Sequence, residues 1–187
     1  MVKVAIVCEG KSDRNFFKKL ISRLGFAESN ISFYILGGKS KFFELENRNY
    51  QDIKLEVDSG QIDNILFVID ADDEKSDMKN GGYENTQRAL NALISELGFE
   101  GISRIFIMCD PTTKTGYLES LILSTISESQ RNCISCFLAC SEFESKENHK
   151  AILNQIYDLA YPNAPFDFEH SYFDELKQTL RNLFEVV

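Results

Sequence analysis

Hydrophobic positions in residues 1–110 follow two patterns that alternate along the chain. Short, almost unbroken apolar runs rich in β-branched residues are typical of strands buried on both faces of a parallel sheet. Between them lie longer segments in which apolar residues recur at helical spacing. The predicted strands are "VKVAIVC", "ISFYILGG", "NILFVID" and "SRIFIMCD". Strands that alternate with helices predict an α/β fold with a mostly parallel four-stranded sheet flanked by helices.

Helix signals fill the segments between the strands. Ser12 or Asp13 is a candidate cap for a first helix, which Gly25 ends. Segment 41–60 is predicted to be helical, as is segment 84–97. The last third of the chain is helical by pattern, in "GYLESLILSTI", "QRNCISCFLAC", "NHKAILNQIYDLAY" and "YFDELKQTLRNLF". Since no repeat, proline-rich linker or low-complexity segment divides the chain, we expect one domain.

Composition and charge narrow the function classes. No apolar run approaches the roughly 18 residues that a membrane span needs, and the N-terminus lacks the features of a signal peptide. Five cysteines without a regular framework fit a reducing compartment, so we expect a cytoplasmic protein with free thiols. A net charge of −9 argues against a globally basic nucleic-acid binder. A local basic patch, or metal ions held by carboxylates, would still allow nucleic-acid binding.

Acidic residues end three of the four predicted strands: Glu9, Asp70 and Asp110. In open α/β sheets the functional crevice lies beyond the carboxyl ends of the strands. Asp70 and Asp72 are two residues apart, so an extended backbone would direct both carboxylates to the same side, as a ligand pair for Mg²⁺ or Mn²⁺. If the first and third strands are neighbours, Glu9 and Asp13 face this pair, and such crowded carboxylates repel unless protonated or bridged by metal. The alternative is that these acids are loop solubilisers and helix caps.

Two of these motifs together carry a family resemblance. Residues 8–13, "CEGKSD", and residues 69–73, "IDADD", each end an apolar strand. This pairing resembles the Toprim domain, which is shared by topoisomerases, bacterial primases, OLD-family nucleases and small stand-alone proteins. The resemblance implies a Toprim/Rossmann-like core in residues 1–125, with residues 126–187 as a helical extension of the same domain.

The resemblance also implies roles for individual residues. Glu9 matches the glutamate of the first motif, a general acid/base or metal ligand, and Asp70 and Asp72 match the metal-binding DxD pair. Asp13 matches the aspartate that OLD-like nucleases carry in "EGxxD". Gly10 would let the backbone turn close to a metal or phosphate with no Cβ in the way.

A second possible match lies at "KTGYLESLIL", where Gly116 and Glu119 resemble the glycine and glutamate of OLD-like nucleases. Glu119 would then serve a second metal. Alternatively, Glu119 only complements the positive N-terminus of a helix, and both interpretations stay open.

Basic residues near the same sheet end are candidates for holding substrate phosphates. Lys11, Lys39 and Lys41 are expected there, although solvated loop lysines are the competing interpretation. By the same resemblance, Lys146 would be the late basic residue of OLD-like nucleases. The loop "DADDEKSDMKNGG" departs from the family pattern through additional acids, which predict a more acidic site that binds metal before substrate.

The spacing of Cys133, Cys136 and Cys140 invites a metal interpretation, but free cysteines on one helical stripe are typical of a core, and a fourth zinc ligand is lacking. We therefore expect core packing. His170 is expected to cap or pack against the last helix, and neither of the two histidines supports a Ser-His-Asp or Cys-His hydrolase.

Two functions remain. The first is a metal-dependent phosphoryl-transfer enzyme of the Toprim class, a small Mg²⁺- or Mn²⁺-dependent nuclease acting on DNA or RNA, with Glu9, Asp70 and Asp72 as catalytic residues. The second is a non-catalytic Toprim-like regulatory module that binds metal, nucleic acid or protein. A homodimer or a partner protein is compatible with either.

Overall fold

The structure is a computed structural model that describes residues 2–75, 77–140 and 166–185. Four strands form one sheet in the order β2-β1-β3-β4. They are β1 (Val4–Cys8), β2 (Ile31–Ile35), β3 (Asn64–Asp70) and β4 (Ser103–Met108). Each neighbouring pair is parallel. The predicted fold class, a parallel four-stranded sheet flanked by helices, is confirmed.

Helices connect the strands and follow the last one. In chain order they are α1 (Lys11–Leu24), α2 (Lys39–Phe42), α3 (Arg48–Asp58), α4 (Tyr83–Leu97), α5 (Leu118–Leu123), α6 (Glu128–Cys140) and α7 (Asp174–Phe184). Short 3-10 turns occupy Glu28–Asn30 and Ser171–Phe173. The predicted helix "NHKAILNQIYDLAY" and the candidate Lys146 lie outside the described residues.

The sheet order places β1 and β3 side by side. Their register pairs Cys8 with Val68, so the chain leaves both strands at the same edge of the sheet. All five residues of β1 are buried, as are six of the seven residues of β3. These two central strands therefore have both faces covered, which explains why their sequences are almost unbroken apolar runs.

Each face of the sheet has its own hydrophobic cluster. On one face, α1, α5 and α7 pack over alternate residues of β1, including Val4 and Ile6. On the other face, α3 and α4 pack over Ala5 and Val7. This alternation follows from the pleat of the strand, which directs successive side chains to opposite faces.

The C-terminal aromatic residues complete the first cluster. The Phe16 ring lies 5.3 Å from the ring of Phe166, 5.5 Å from that of Phe168 and 5.9 Å from that of Phe173. Phe168 and Phe173 are buried, whereas Tyr172 is exposed. The phenylalanines of this aromatic group therefore cover the core.

His170 caps the 3-10 turn that leads into the last helix, not the helix itself, whose N-cap is Phe173. The Nδ1 of His170 accepts a hydrogen bond from the backbone N–H of Tyr172 at 3.2 Å.

The expectation that the three cysteines of α6 pack in the core is wrong. Cys133, Cys136 and Cys140 are all exposed, and no described residue of α6 is buried. Helical spacing places these thiols on a common stripe, but it does not determine which way the stripe faces. The core on this side of the sheet is built by α1, α5 and α7 instead.

This exposure predicts two classes of thiol. Burial, and then the negative charge of Asp13, raises the pKa of Cys8 to about 12, and burial raises the pKa of Cys109. We expect an alkylating reagent to label the three α6 cysteines in the native protein and to label Cys8 and Cys109 only in denaturant. Peptide mass spectrometry measures this, and rapid native labelling of Cys8 would contradict it.

Across residues 2–75, 77–140 and 166–185, no helix has the length and apolar character needed to span a membrane.

Candidate functional site

Five acidic side chains from three parts of the chain define what we call the carboxylate edge: Glu9, Asp13, Asp70, Asp72 and Glu119. Glu9 directly follows β1, Asp13 lies in the first turn of α1, Asp70 ends β3, and Glu119 lies in the first turn of α5. All except Glu9 are buried, with exposures from 2% for Asp70 to 9% for Asp72. Carboxylates are almost never this buried unless they are paired. The negative charges of these buried carboxylates must therefore be stabilised by hydrogen-bond donors or by cations.

The turn after β1 is held by hydrogen bonds. The backbone N–H of Gly10 donates to Asp13 Oδ2 at 2.7 Å. The N–H groups of Gly37 and Gly38 donate to the carbonyl oxygen of Glu9 at 2.9 and 3.2 Å. These bonds hold the peptide group that joins Glu9 to Gly10, and a 3.0 Å bond from the Leu36 N–H to the Cys8 carbonyl oxygen holds the backbone on the other side of Glu9.

The predicted cap of α1 is wrong by a few residues. The helix begins at Lys11, with Gly10 as its N-cap, and Asp13 is the third helical residue, whose carboxylate reaches back to the Gly10 N–H. Gly10 has an extended backbone with φ of −139°, and an added Cβ would make an ordinary 3.6 Å contact with Asp13. The approach of a metal or phosphate to Gly10 therefore stays a prediction.

Asp70 connects β3 to α5. Its Oδ1 accepts a hydrogen bond of 3.1 Å from the backbone N–H of Leu118, the first residue of α5. Glu119 is the next residue of that short helix and is 3% exposed. The connection brings the start of α5 to the carboxyl end of β3, which agrees with the sequence-based grouping of Asp70 with Glu119.

Asp72 does not have the extended conformation that the sequence argument assumed. Its φ is +59°, in the left-handed region that aspartate tolerates better than most residues. Two backbone hydrogen bonds join it to Gly116, from Asp72 N to Gly116 O at 2.6 Å and from Gly116 N to Asp72 O at 3.0 Å. The prediction that strand alternation aligns Asp70 with Asp72 is therefore wrong, because the chain has already left the sheet.

Lys39 lies against this same segment. Its Nζ is within 3.4 Å of four oxygens: the carbonyl oxygens of Asp70 and Ala71, Asp72 Oδ2 and Thr86 Oγ1. Its side chain is only 11% exposed. Sequence reasoning placed Lys39 near the site but missed Thr86 and the carbonyl groups, which no motif indicates.

The other two candidate lysines differ from Lys39. Lys11 and Lys41 are both exposed. The phosphate-binding role proposed for the lysines of this edge stays a prediction.

The additional acids of the loop serve its turns. Asp73 Oδ1 accepts from the Lys75 N–H at 2.8 Å, and Asp77 Oδ1 accepts from two further backbone N–H groups. At Gly81 an added Cβ would lie 2.5 Å from the Asp73 carbonyl oxygen, so the loop closes tightly on itself. These contacts support the turn-forming role of the acids, and early metal binding by them stays a prediction.

Asp110 lies apart from these contacts. Its Oδ1 accepts from the backbone N–H groups of Thr112 and Thr113 at 2.8 and 3.1 Å. Asp110 therefore stabilises the turn after β4, in the manner expected of an aspartate in a loop.

Gly116 offers a test of how the Asp72 segment is positioned. Its φ is +96°, and an added Cβ would overlap the Ser120 hydroxyl group. We expect Gly116→Ala to lower the free energy of unfolding by about 1–3 kcal/mol, from backbone strain together with the displacement of Ser120. Gly60→Ala is the matched control, because Gly60 also has a positive φ, of +69°, but has open space around it. Urea unfolding measures both variants, and equal losses would show that the Ser120 contact has no cost.

Among the described ranges, no three histidine, cysteine, aspartate or glutamate side chains form a group that could hold a metal ion. The side chains of the carboxylate edge are of the chemical type that binds Mg²⁺ or Mn²⁺, but the structure does not gather three of them around one point. The Lys39 ammonium is the cation found at Asp72.

Comparison with protein-family models assigns the chain to a family. The model of the family described as "Protein of unknown function (DUF3226)" matches residues 3–134. The chain belongs to this family. The match spans all four strands and α1 to α5, and so includes every residue of the carboxylate edge.

One solved structure is similar to the chain over almost its whole length. It is the C-terminal region of the Burkholderia pseudomallei OLD protein, with 15% identity, a TM-score of 0.48, and coverage of 97% of this chain and 98% of that chain. None of the curated proteins matches this chain.

Proposed function

We propose that this protein is a metal-dependent phosphoryl-transfer enzyme of the Toprim class, and specifically a small nuclease that acts on DNA or RNA phosphodiesters. One observation carries the proposal. The two motifs that resemble the Toprim domain, at Glu9 and at Asp70–Asp72, follow adjacent parallel strands and leave the sheet at the same edge. This is the edge at which open α/β sheets bind ligands.

The donor atoms of the carboxylate edge are of the type found in metal sites. A carboxylate has two oxygens and about four lone-pair sites, so the same group can accept a hydrogen bond and bind a cation. An all-oxygen donor set suits Mg²⁺ or Mn²⁺ better than thiophilic metals. Asp70, Asp72 and Asp13 would be the principal ligands, with Glu119 as a candidate for a second ion.

The chemistry assigns different tasks to these residues. When bound, a divalent ion would polarise the phosphate and stabilise the charge that develops on its oxygens. Glu9 is the least buried acid of the edge and its backbone is held on both sides, so it suits proton transfer to or from the attacking or leaving oxygen. Lys11, which is exposed beside Glu9, would contact the nucleic-acid backbone.

A non-catalytic binding module is the second candidate. The observation that favours it is the absence, among residues 2–75, 77–140 and 166–185, of three acids gathered into a metal-holding group. In such a module Lys39 would be the permanent counterion of Asp72. The protein would then bind nucleic acid or a partner protein without cleaving it.

Glu9→Gln distinguishes the two candidates. The nuclease hypothesis predicts metal-dependent cleavage of single-stranded, duplex or supercoiled nucleic acid, and this cleavage should stop when EDTA removes the metal. It also predicts a loss of about 100-fold or more in Glu9→Gln, because positioned proton transfer contributes about that much. Glu46→Gln, at an exposed glutamate that is not one of the five acids of the edge, is the control and should cleave normally. Nucleic-acid binding without cleavage by the wild type would favour the module.

A further inference from the structure

We propose that Lys39 is the resident cation of the carboxylate edge, and that a divalent ion must displace its ammonium group in order to reach Asp72. This inference rests on the proposed metal site. It assigns Lys39 a part in metal binding that is separate from the phosphate contact expected from the sequence.

The surroundings of Lys39 Nζ carry the inference. Four oxygens lie 3.0–3.4 Å away, and Asp77 Oδ2 lies at 4.0 Å. An ammonium group has three donors, so it has more acceptors within reach than it can use at once. Two carbonyl oxygens, a carboxylate and a hydroxyl form the kind of oxygen shell that hard metal ions prefer. The lysine therefore occupies a cation position in an oxygen-rich environment.

The backbone places Lys39 there. Gly37 and Gly38 have φ of +84° and +126°, conformations that side chains rarely adopt, and their N–H groups donate to the Glu9 carbonyl oxygen. The next residue, Lys39, begins α2 and extends across to the segment after β3. One glycine turn thus links Glu9 on one side of the edge to Asp72 on the other.

Two cations cannot share Asp72 at close range without strong repulsion. A divalent ion at Asp72 must therefore compete with the ammonium group, which weakens metal binding. If Lys39 were instead a purely structural support, removing it would leave metal affinity unchanged or lower it, because the carboxylates would be less well positioned.

Calorimetric titration with Mn²⁺, without nucleic acid, separates these possibilities. We expect Lys39→Met, which keeps an unbranched side chain one atom shorter and removes its charge, to bind Mn²⁺ about tenfold more tightly than the wild type. Lys54→Met, at an exposed lysine of α3, is the charge-matched control and should bind as the wild type does. In an Asp72→Asn background the gain from Lys39→Met should disappear. Equal or weaker binding by folded Lys39→Met would overturn the inference.

A second measurement uses the wild type and does not depend on how well the variant folds. We expect Lys39 to resist acetylation by an amine-reactive reagent without metal and to become several-fold more reactive at saturating Mg²⁺. Lys54 should react equally in both conditions. Peptide mass spectrometry gives both rates, and a Lys39 rate that does not respond to saturating metal would overturn the inference.

These outcomes are distinguishable from failure of the proposed function. Metal binding that releases Lys39, but without cleavage of any nucleic acid, would contradict the nuclease and leave the Lys39 inference standing. Cleavage of nucleic acid, together with a Lys39 acetylation rate that does not change with metal, would support the nuclease and overturn the Lys39 inference. A lack of Mn²⁺ binding by both the wild type and Lys39→Met would overturn both.

Discussion

Asp70→Asn is expected to lower metal-dependent cleavage by about 100-fold or more, since a metal ion contributes several kcal/mol of transition-state stabilisation and this variant weakens its site. Asp70 ends β3 and is 2% exposed. Asparagine keeps the shape of the side chain and an oxygen that can still accept from the Leu118 N–H, so the fold should survive. Initial cleavage rates at saturating Mg²⁺ and thermal unfolding of the same samples measure the two effects.

Asp110→Asn is the matched control for this substitution. Asp110 also follows a strand at the same edge of the sheet, but its carboxylate bonds to the turn after β4. An asparagine oxygen can accept the same hydrogen bonds, so both cleavage and stability should stay close to wild type. Equal cleavage by wild type and Asp70→Asn would refute the catalytic assignment, and a loss in Asp110→Asn would extend the site to β4.

Phe16→Ala is expected to have the largest effect on stability, with a loss of about 3–5 kcal/mol in the free energy of unfolding. Phe16 is 1% exposed and its ring contacts those of Phe17, Phe166, Phe168 and Phe173. Alanine would leave a cavity between α1 and the C-terminal aromatic residues. Urea unfolding followed by circular dichroism measures the loss.

Phe137→Ala provides the comparison for an exposed ring. Phe137 lies on α6 and is 48% exposed, so its truncation should change stability by less than about 0.5 kcal/mol. A loss below about 1 kcal/mol in Phe16→Ala would mean that the C-terminal aromatic cluster contributes little to the core.

The sheet could be predicted from the sequence because its central strands are covered on both faces. That burial requires apolar residues at nearly every position of β1 and β3, a pattern that few other structures produce. The edge strand β2 is only partly buried, yet it was predicted as well, because it is a short apolar and aromatic run that ends in two glycines. The position of α6 could not be predicted, since spacing alone does not determine which elements cover the core.

The candidate site was predictable in its location but not in its conformation. Parallel strands bring their carboxyl ends to one edge, so the grouping of Glu9 with Asp70 follows from strand order. The conformation of Asp72 depends on its bridge to Gly116, which is distant in sequence. Lys39 likewise reaches its oxygens across 31–47 residues of chain. Such contacts are set by tertiary packing and leave no local signal in the sequence.

Calorimetric titration of Mn²⁺ into the wild type and into the Asp70→Asn/Asp72→Asn double variant tests the central claim most directly. The account predicts saturable binding by the wild type and little or none by the double variant, with both proteins showing the same circular dichroism spectrum. Equal binding by the two proteins, or no binding by the wild type, would contradict a metal site at the carboxylate edge.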